Sequence, residues 1–354
     1  MNKEKICLIA IGDVIIARED PQSIFKYVAD VLRSGDITFA NCDQAYSEKG
    51  YPYISERHVL VPDPENISTL VYAGLDVVSL ANNHSMDLGP EALLDGIDSI
   101  RKAGIDVVGA GKNIVEARQP VILDRKGNKI GFLAYGCIGP DRAQATETTP
   151  GHAPMRAYTI YKQVEYYPGS HPEIITVAYP DDLAEMKKDI HELKSEVDIV
   201  VVSFHWGIHF VPAQIPMYEF EVGHAAIDAG ADIILGGHAH ILKGIEVYKG
   251  KVIFHSLNNF ATEVKGKLFE KLGRSAPFPS EARNTIIVKA IIEKGEIKKV
   301  SYIPCYLNEE AEPVIVSRSD PKAEGVYSYI DNITRYYNLT TKFTWEGGEV
   351  VISA

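Results

Sequence analysis

The sequence predicts an α/β protein whose sheets mix parallel and antiparallel strands. Short runs of continuous Val, Ile and Leu alternate with helix-length stretches, the pattern of strands buried on both faces. Paired runs joined by Lys-Gly turns mark hairpins, which bring in antiparallel neighbours. The 354 residues, 45% hydrophobic and 24% charged, are enough for a sizeable core.

The elements follow in order. KICLIAI is a first strand that stops at Gly12-Asp13. ITFANCD, ending in Asn and Asp, is the second, and LDVVSLANNH the third. A helix from about Pro90 to Ala103 comes next, then DVVGAG after Gly104. PVILD and KIGFLAYG, joined by Arg-Lys-Gly-Asn, form a hairpin. EIITVAY leads to a helix over Asp181–Ser195, and Asp181 and Asp182 suit its N-terminus. DIVVVSFHWG is a strand with a crossover helix over about Gln214–Ala229, and ADIILGGHAH is the next strand. GIEVY and KGKVIFHS make a second hairpin, followed by the β segments NTIIVKAIIE and IKKVSYIPC. DPKAEGVYSYIDNITRYYNL reads as an amphipathic helix, with Tyr327, Ile330, Ile333 and Tyr337 on one side, expected to cap the core. The loops Gly139–Arg156 and Lys265–Ser280 are long enough to be lids or mobile segments.

Charge excludes some function classes. With 36 Lys+Arg against 48 Asp+Glu the net charge is −12, and no long basic run exists. A phosphate backbone or an anionic lipid surface needs the opposite. The four cysteines form no CxxC pair and read as reduced thiols of a cytoplasmic protein. The apolar run after the charged N-terminal lead is about five residues, too short for a signal sequence. No stretch reaches the ~18 apolar residues of a membrane span.

The informative feature is where metal-capable side chains fall. Asp13 ends the first strand, Asn41 and Asp43 the second, and Asn82, Asn83 and His84 the third. His205 ends a fourth, and His238 with His240 a fifth. Any one of them could cap a turn. Five strand ends delivering Asp, Asn or His to the same rim point to a ligand crevice, which in α/β sheets lies at the carboxyl ends of strands. His205, His209, His224, His238 and His240 fall within 36 residues, where 11 histidines in 354 would place about one. In Gly-His-Ala-His, alternation puts both histidines on one side, and the glycine admits a close neighbour. Imidazole with carboxylate and amide oxygen suits Mn, Zn, Fe or Ni better than Ca or Mg. His84 is also a candidate acid or base, because its intrinsic pKa lies near neutrality.

On these residues the chain resembles the CapA (PGA_cap) family of bacterial poly-γ-glutamate capsule synthesis. SLANNHSMDLGPEALLDGIDSIRKAGIDVVGAG carries the likeness, with HWG at 205–207, IDAGADIILGGHAHILKGIEVYKGKVIFHSLNNF at 227–260, and the early IGDV and NCDQ. That family is similar to the calcineurin-like metallophosphoesterases. The resemblance implies a four-layer α/β/β/α metallophosphatase-like sandwich over residues 1–310, with 311–354 as an extension packed on it. It makes Asp13 and His240 ligands of a first ion and Asp43 a bridge. Asn83, His205 and His238 become ligands of a second ion, and His84 the proton donor. The phosphatase pattern has a histidine where this chain has Ile15, so one ion or two, or none, remain open. The family usually has Glu at Asp43, an acidic residue at His209 and Gly at Asn258.

Four readings follow. The first is an enzyme acting on a γ-linked peptide or polyglutamate-like amide, assisted by Mn, Zn or Fe. In it His84 moves the proton, and Asn41, Arg18, Arg57, Trp206 and Asn258 contact substrate. The second is a metallophosphoesterase. The third is a non-catalytic polymer- or peptide-binding protein. The fourth is a metal-free acid–base enzyme such as an epimerase, using His84, His209 and Asp13. The oligomeric state has no signal in the sequence.

Overall fold

The structure is a computed structural model that describes residues 3–53, 63–262 and 280–354. Arg57 and all but the last residue of the 265–280 loop lie outside the described residues. Two mixed sheets face each other. The larger has ten strands and the smaller six. Ile6–Ile15, Ile37–Cys42, Val77–Ser79 and Asp106–Val108 run parallel in the larger sheet. On the far side of Ile6–Ile15 the long antiparallel pair Asn284–Glu293 and Glu296–Leu307 continues it. In the smaller sheet Asn128–Gly136, Ile199–His205 and Ile233–Gly237 are parallel neighbours. Both expected hairpins are present: Val121–Arg125 with Asn128–Gly136, and Ile245–Tyr248 with Lys251–Phe254. Lys126 and Gly127, and Lys249 and Gly250, take the positive φ that such two-residue turns require.

Most of the continuous apolar runs are buried, every residue of Ile37–Cys42 and Ile199–His205 included. In PVILD and EIITVAY, however, Ile122 and Ile174 are exposed, and Glu173–Ala178 pairs with Ala157–Lys162 in a separate two-stranded sheet. One cluster fills the space between the sheets, where Phe39 and Phe132 stack with centroids 5.9 Å apart. A second lies under the helices on the outer face of the larger sheet. A third lies under Pro180–Lys194 and Met217–Ala229 on the outer face of the smaller one. The result is the four-layer α/β/β/α sandwich. The helix Pro321–Tyr336 buries Val326, Ile330 and Ile333 in the cluster between the sheets, and Glu349–Ser353 pairs with Glu296–Leu307.

Two local details differ from expectation. The first strand does not stop at Gly12-Asp13 but continues to Ile15, with a bulge at Asp13. The helix expected from Gln214 begins at Met217, after Pro216. Among the described residues no helix is long and apolar enough to cross a membrane.

Candidate functional site

Asp13 sits where the register against Ile37–Cys42 slips between Ala10 and Asp13. Gly12 permits this approach. A Cβ there would lie 1.9 Å from the Asn258 carbonyl oxygen, which accepts the Asp13 N–H at 2.9 Å. The bulge turns the Asp13 carboxylate toward the smaller sheet. Its Oδ2 accepts the His238 N–H and its Oδ1 the Asn41 side-chain amide, each at 2.9 Å. The two sheets are therefore tied together at this rim.

One donor atom each from Asp13, Asp43 and His240 lies within 4.8 Å of the others. Beside them, His205 Nε2 is 2.7 Å from Asn83 Oδ1, 3.2 Å from His238 Nδ1 and 3.5 Å from Asp43 Oδ1. Asp43 thus faces both groups. His238 and His240 follow the strand Ile233–Gly237 rather than alternating along it. Their φ values of 81° and 52° are left-handed, uncommon for a side-chain-bearing residue and costing about 1–3 kcal/mol each. The bond from His238 N–H to Asp13 holds the first of them. His240 Nδ1 lies 2.7 Å from Asn259 Oδ1. The His209 ring is 3.9 Å from that of His238 and 4.8 Å from that of His240, centroid to centroid.

Burial sets the protonation states. Burial, then the Asp43 charge, pushes the Asp13 carboxyl up to about 8. Burial, then His209, pushes His240 down to about 3. His205 and His238 fall well below the usual histidine range through burial and the neighbouring imidazoles. Two buried carboxyl groups, Asp13 giving up its proton on binding, facing neutral imidazoles make a donor set that fits a divalent transition ion.

The third strand's end does two jobs. Asn82 Oδ1 accepts the N–H groups of His84 and Ser85, and its amide donates to the Cys42 carbonyl at 2.7 Å. That turn presents Asn83 and His84. His84 Nδ1 lies 2.8 Å from Asp87 Oδ2.

Several residues expected to contact substrate are placed otherwise. Asn41 is a buried link, its amide 2.9 Å from Asp13 and 3.2 Å from His205 Nδ1. Trp206 is fully enclosed, stacks on Phe204 at 4.5 Å and donates its indole N–H to the His255 carbonyl. Strand alternation turns it away from the side His205 faces. Asn258 points its amide at the carbonyls of Ala282 and Asn284. Arg18 is held by the Glu310 carbonyl at 2.7 Å and by Glu312. Ile15 is buried and pairs with Thr262. Asp87 and Asn259 were not anticipated, although Asp87 stands in the same turn as His84 and Asn259 in the same LNNF run as Asn258.

A family model described as "Bacterial capsule synthesis protein PGA_cap" matches residues 7–264. The capsule biosynthesis protein CapA of Bacillus anthracis is 29% identical over 270 residues, covering 73% of this chain and 60% of that protein. The PGA biosynthesis protein CapA of Bacillus subtilis (strain 168) is 30% identical over 260 residues, covering 71% and 61%. The chain therefore spans about three fifths of the length of these relatives. Among solved structures, a novel phosphatase from Mycoplasma pneumoniae aligns with a TM-score of 0.48 at 12% identity, covering 93% of this chain and 100% of that one.

Proposed function

This chain belongs to the bacterial capsule synthesis protein (PGA_cap) family, and from that premise we propose that it is a metal-dependent hydrolase-type enzyme acting on the γ-linked amide of a glutamyl peptide or polyglutamate. The observation that carries the reading is the convergence of Asp13 and Asp43, two fully buried carboxylates, with His240 inside 4.8 Å. Two carboxylates withdrawn from water favour a cation between them. Burial keeps the imidazoles neutral, the form that coordinates. Asp13, Asp43 and His240 would hold one ion; Asn83, His205 and His238, sharing Asp43, would hold a second. Such an ion polarises a carbonyl or phosphoryl oxygen and acidifies water. Asn41 keeps Asp13 and His205 in register, and His84, oriented by Asp87, gives a proton to the departing amine.

The substrate class is supported by the relatives named for PGA biosynthesis. Phosphoester hydrolysis is the second reading, favoured by His84 standing directly after Asn83. The buried Ile15 weakens it, leaving, among the described residues, three side-chain donors around the first position. Four free cysteines support a reducing, cytoplasmic setting.

Metal content per chain, measured by plasma mass spectrometry without chelator, is the first test. One or two equivalents of Mn, Zn or Fe are expected, and His238→Ala should lose them. Glutamate release from γ-linked oligopeptides, blocked by chelator, supports the amide reading. Turnover of p-nitrophenyl phosphate without glutamate release replaces it with the second. Chelator-insensitive deuterium uptake at a substrate Cα would replace both with acid–base epimerisation.

A further inference from the structure

The loop over residues 139–156, expected as a lid or mobile segment, is tied down. Ala153 N–H donates to Gly109, Gly136 N–H to Ala153 and Met155 N–H to Gly136, at 2.8–3.0 Å. Gly151–His152 pairs with Ala110–Gly111, and the His152 carbonyl accepts the Ala145 N–H. What this anchored loop delivers is the His152 side chain.

His152 is 1% exposed, and neither ring nitrogen has a hydrogen-bond partner among the described residues. Two glycines make the room it occupies. A Cβ at Gly136 would meet its Cδ2 and Nε2 at 2.7 and 2.8 Å. A Cβ at Gly139 would lie 3.8 Å from its Cε1 and 3.5 Å from Asn83 Cβ. Gly136 is the register partner of His205 on the adjacent parallel strand. The imidazole therefore fills the side-chain space beside His205 and close to Asn83.

A buried imidazole with no partner is unfavourable, because its N–H and its lone pair both lose water and gain nothing. Burial alone drives the ring down to about 4, so it is neutral, with one donor and one acceptor. Asp13, Asp43, Asn83 and His205 are equally enclosed, so its burial belongs to the whole centre.

We propose that His152 is a substrate-binding residue of this centre, donating its ring N–H to an anionic oxygen, carboxylate or phosphate, held beside Asn83 and His205. The inference rests on reading the centre as a substrate site, and not on which bond is cleaved there.

The test compares the full chain with His152→Leu, by thermal denaturation and by binding of inorganic phosphate and of γ-glutamylglutamate. With no partner to lose, the probe-free variant should melt within about 1 °C of the wild type or above it. Each probe that binds the wild type should bind the variant about tenfold more weakly. His152→Gln, which keeps a donor, should recover part of that loss. A probe-free fall of roughly 2 °C or more would assign the ring to a structural bond with enclosed water and overturn the inference. Equal binding by wild type and variant would overturn it too, as would a wild type that binds neither probe. The amide reading is judged separately by glutamate release. Phosphate binding that weakens tenfold in a chain releasing no glutamate would keep His152 and remove the amide.

Discussion

His84 Nδ1 lies 2.8 Å from Oδ2 of Asp87, a fully buried carboxylate one turn further along the chain. With Asp87 accepting the Nδ1–H, the basic nitrogen is Nε2, and the ring is fixed in one orientation beside Asn83. Asp87→Asn should lower kcat by about 10–100-fold with little change in KM, the usual loss when an orienting partner of a site residue is removed. Steady-state kinetics decide it. Full turnover in the variant would take His84 out of proton transfer, and a change confined to KM would make the pair a binding element.

Metal binding should be coupled to proton release. Burial and Asp43 raise the Asp13 carboxyl from 3.8 to about 8, so at pH 7 the metal-free chain carries a proton there that a cation displaces. Because the folded value is raised, its stabilising effect is complete below pH ~4 and is lost as pH climbs through about 8. His240 runs the other way. Lowered from 6.5 to about 3, it contributes fully above pH 6.5 and loses that contribution as pH falls toward 3. Calorimetric titration with Mn at pH 7, in two buffers of different ionisation enthalpy, should show about one proton released, with affinity falling up to tenfold from pH 8 to pH 7. Absence of proton release would mean Asp13 is already ionised in the metal-free chain.

The sandwich and the donors on its rim were legible because both leave local traces. Buried parallel strands read as unbroken apolar runs, and the residues just beyond them are the ones a ligand crevice uses. The bulge at Asp13 left no trace, since it depends on Gly12 meeting the Asn258 backbone across the sheet. Trp206 was misplaced because adjacent residues on a strand face opposite sides, so a neighbour of a rim histidine belongs to the core. Arg18 finds Glu312 across 294 residues, and no local pattern encodes such a pairing. His152 was hidden for the same reason. Its loop reads as irregular, and the space its ring occupies is set by Gly136 at the end of a neighbouring strand and by Gly139 at the start of its own loop.

Gly237 is a point of close approach between the two halves of the centre. A Cβ there would stand 2.6 Å from Asp13 Oδ1 and 3.3 Å from His205 Nδ1. Gly237→Ala must push the carboxylate off Asn41 or spread the sheets. A loss of about 1–3 kcal/mol in unfolding free energy is expected from the overpacking, with metal affinity down at least tenfold as Asp13 leaves its position. Urea denaturation and metal content after dialysis read the two effects. A destabilised variant with wild-type metal content would show that the sheets spread and Asp13 keeps its position.

Asn258 is the sharpest case of a rim residue with a structural job. Its φ of 65° is left-handed, and its amide donates to Ala282 at 3.1 Å and to Asn284 at 2.5 Å. Asn tolerates that backbone better than other side-chain-bearing residues, and Gly tolerates it best. Asn258→Ala keeps the unfavourable φ and removes both bonds, so about 2–4 kcal/mol of stability should go. Asn258→Gly removes the bonds but relieves the backbone, and should lose roughly 1 kcal/mol less. Because the side-chain amide is spent on two backbone carbonyls, kcat and KM of the folded fraction should match the wild type in both variants. Urea unfolding gives the stabilities, and kinetics well below the melting temperature give the rest. A rise in KM that stays after correction for the folded fraction would return Asn258 to the substrate.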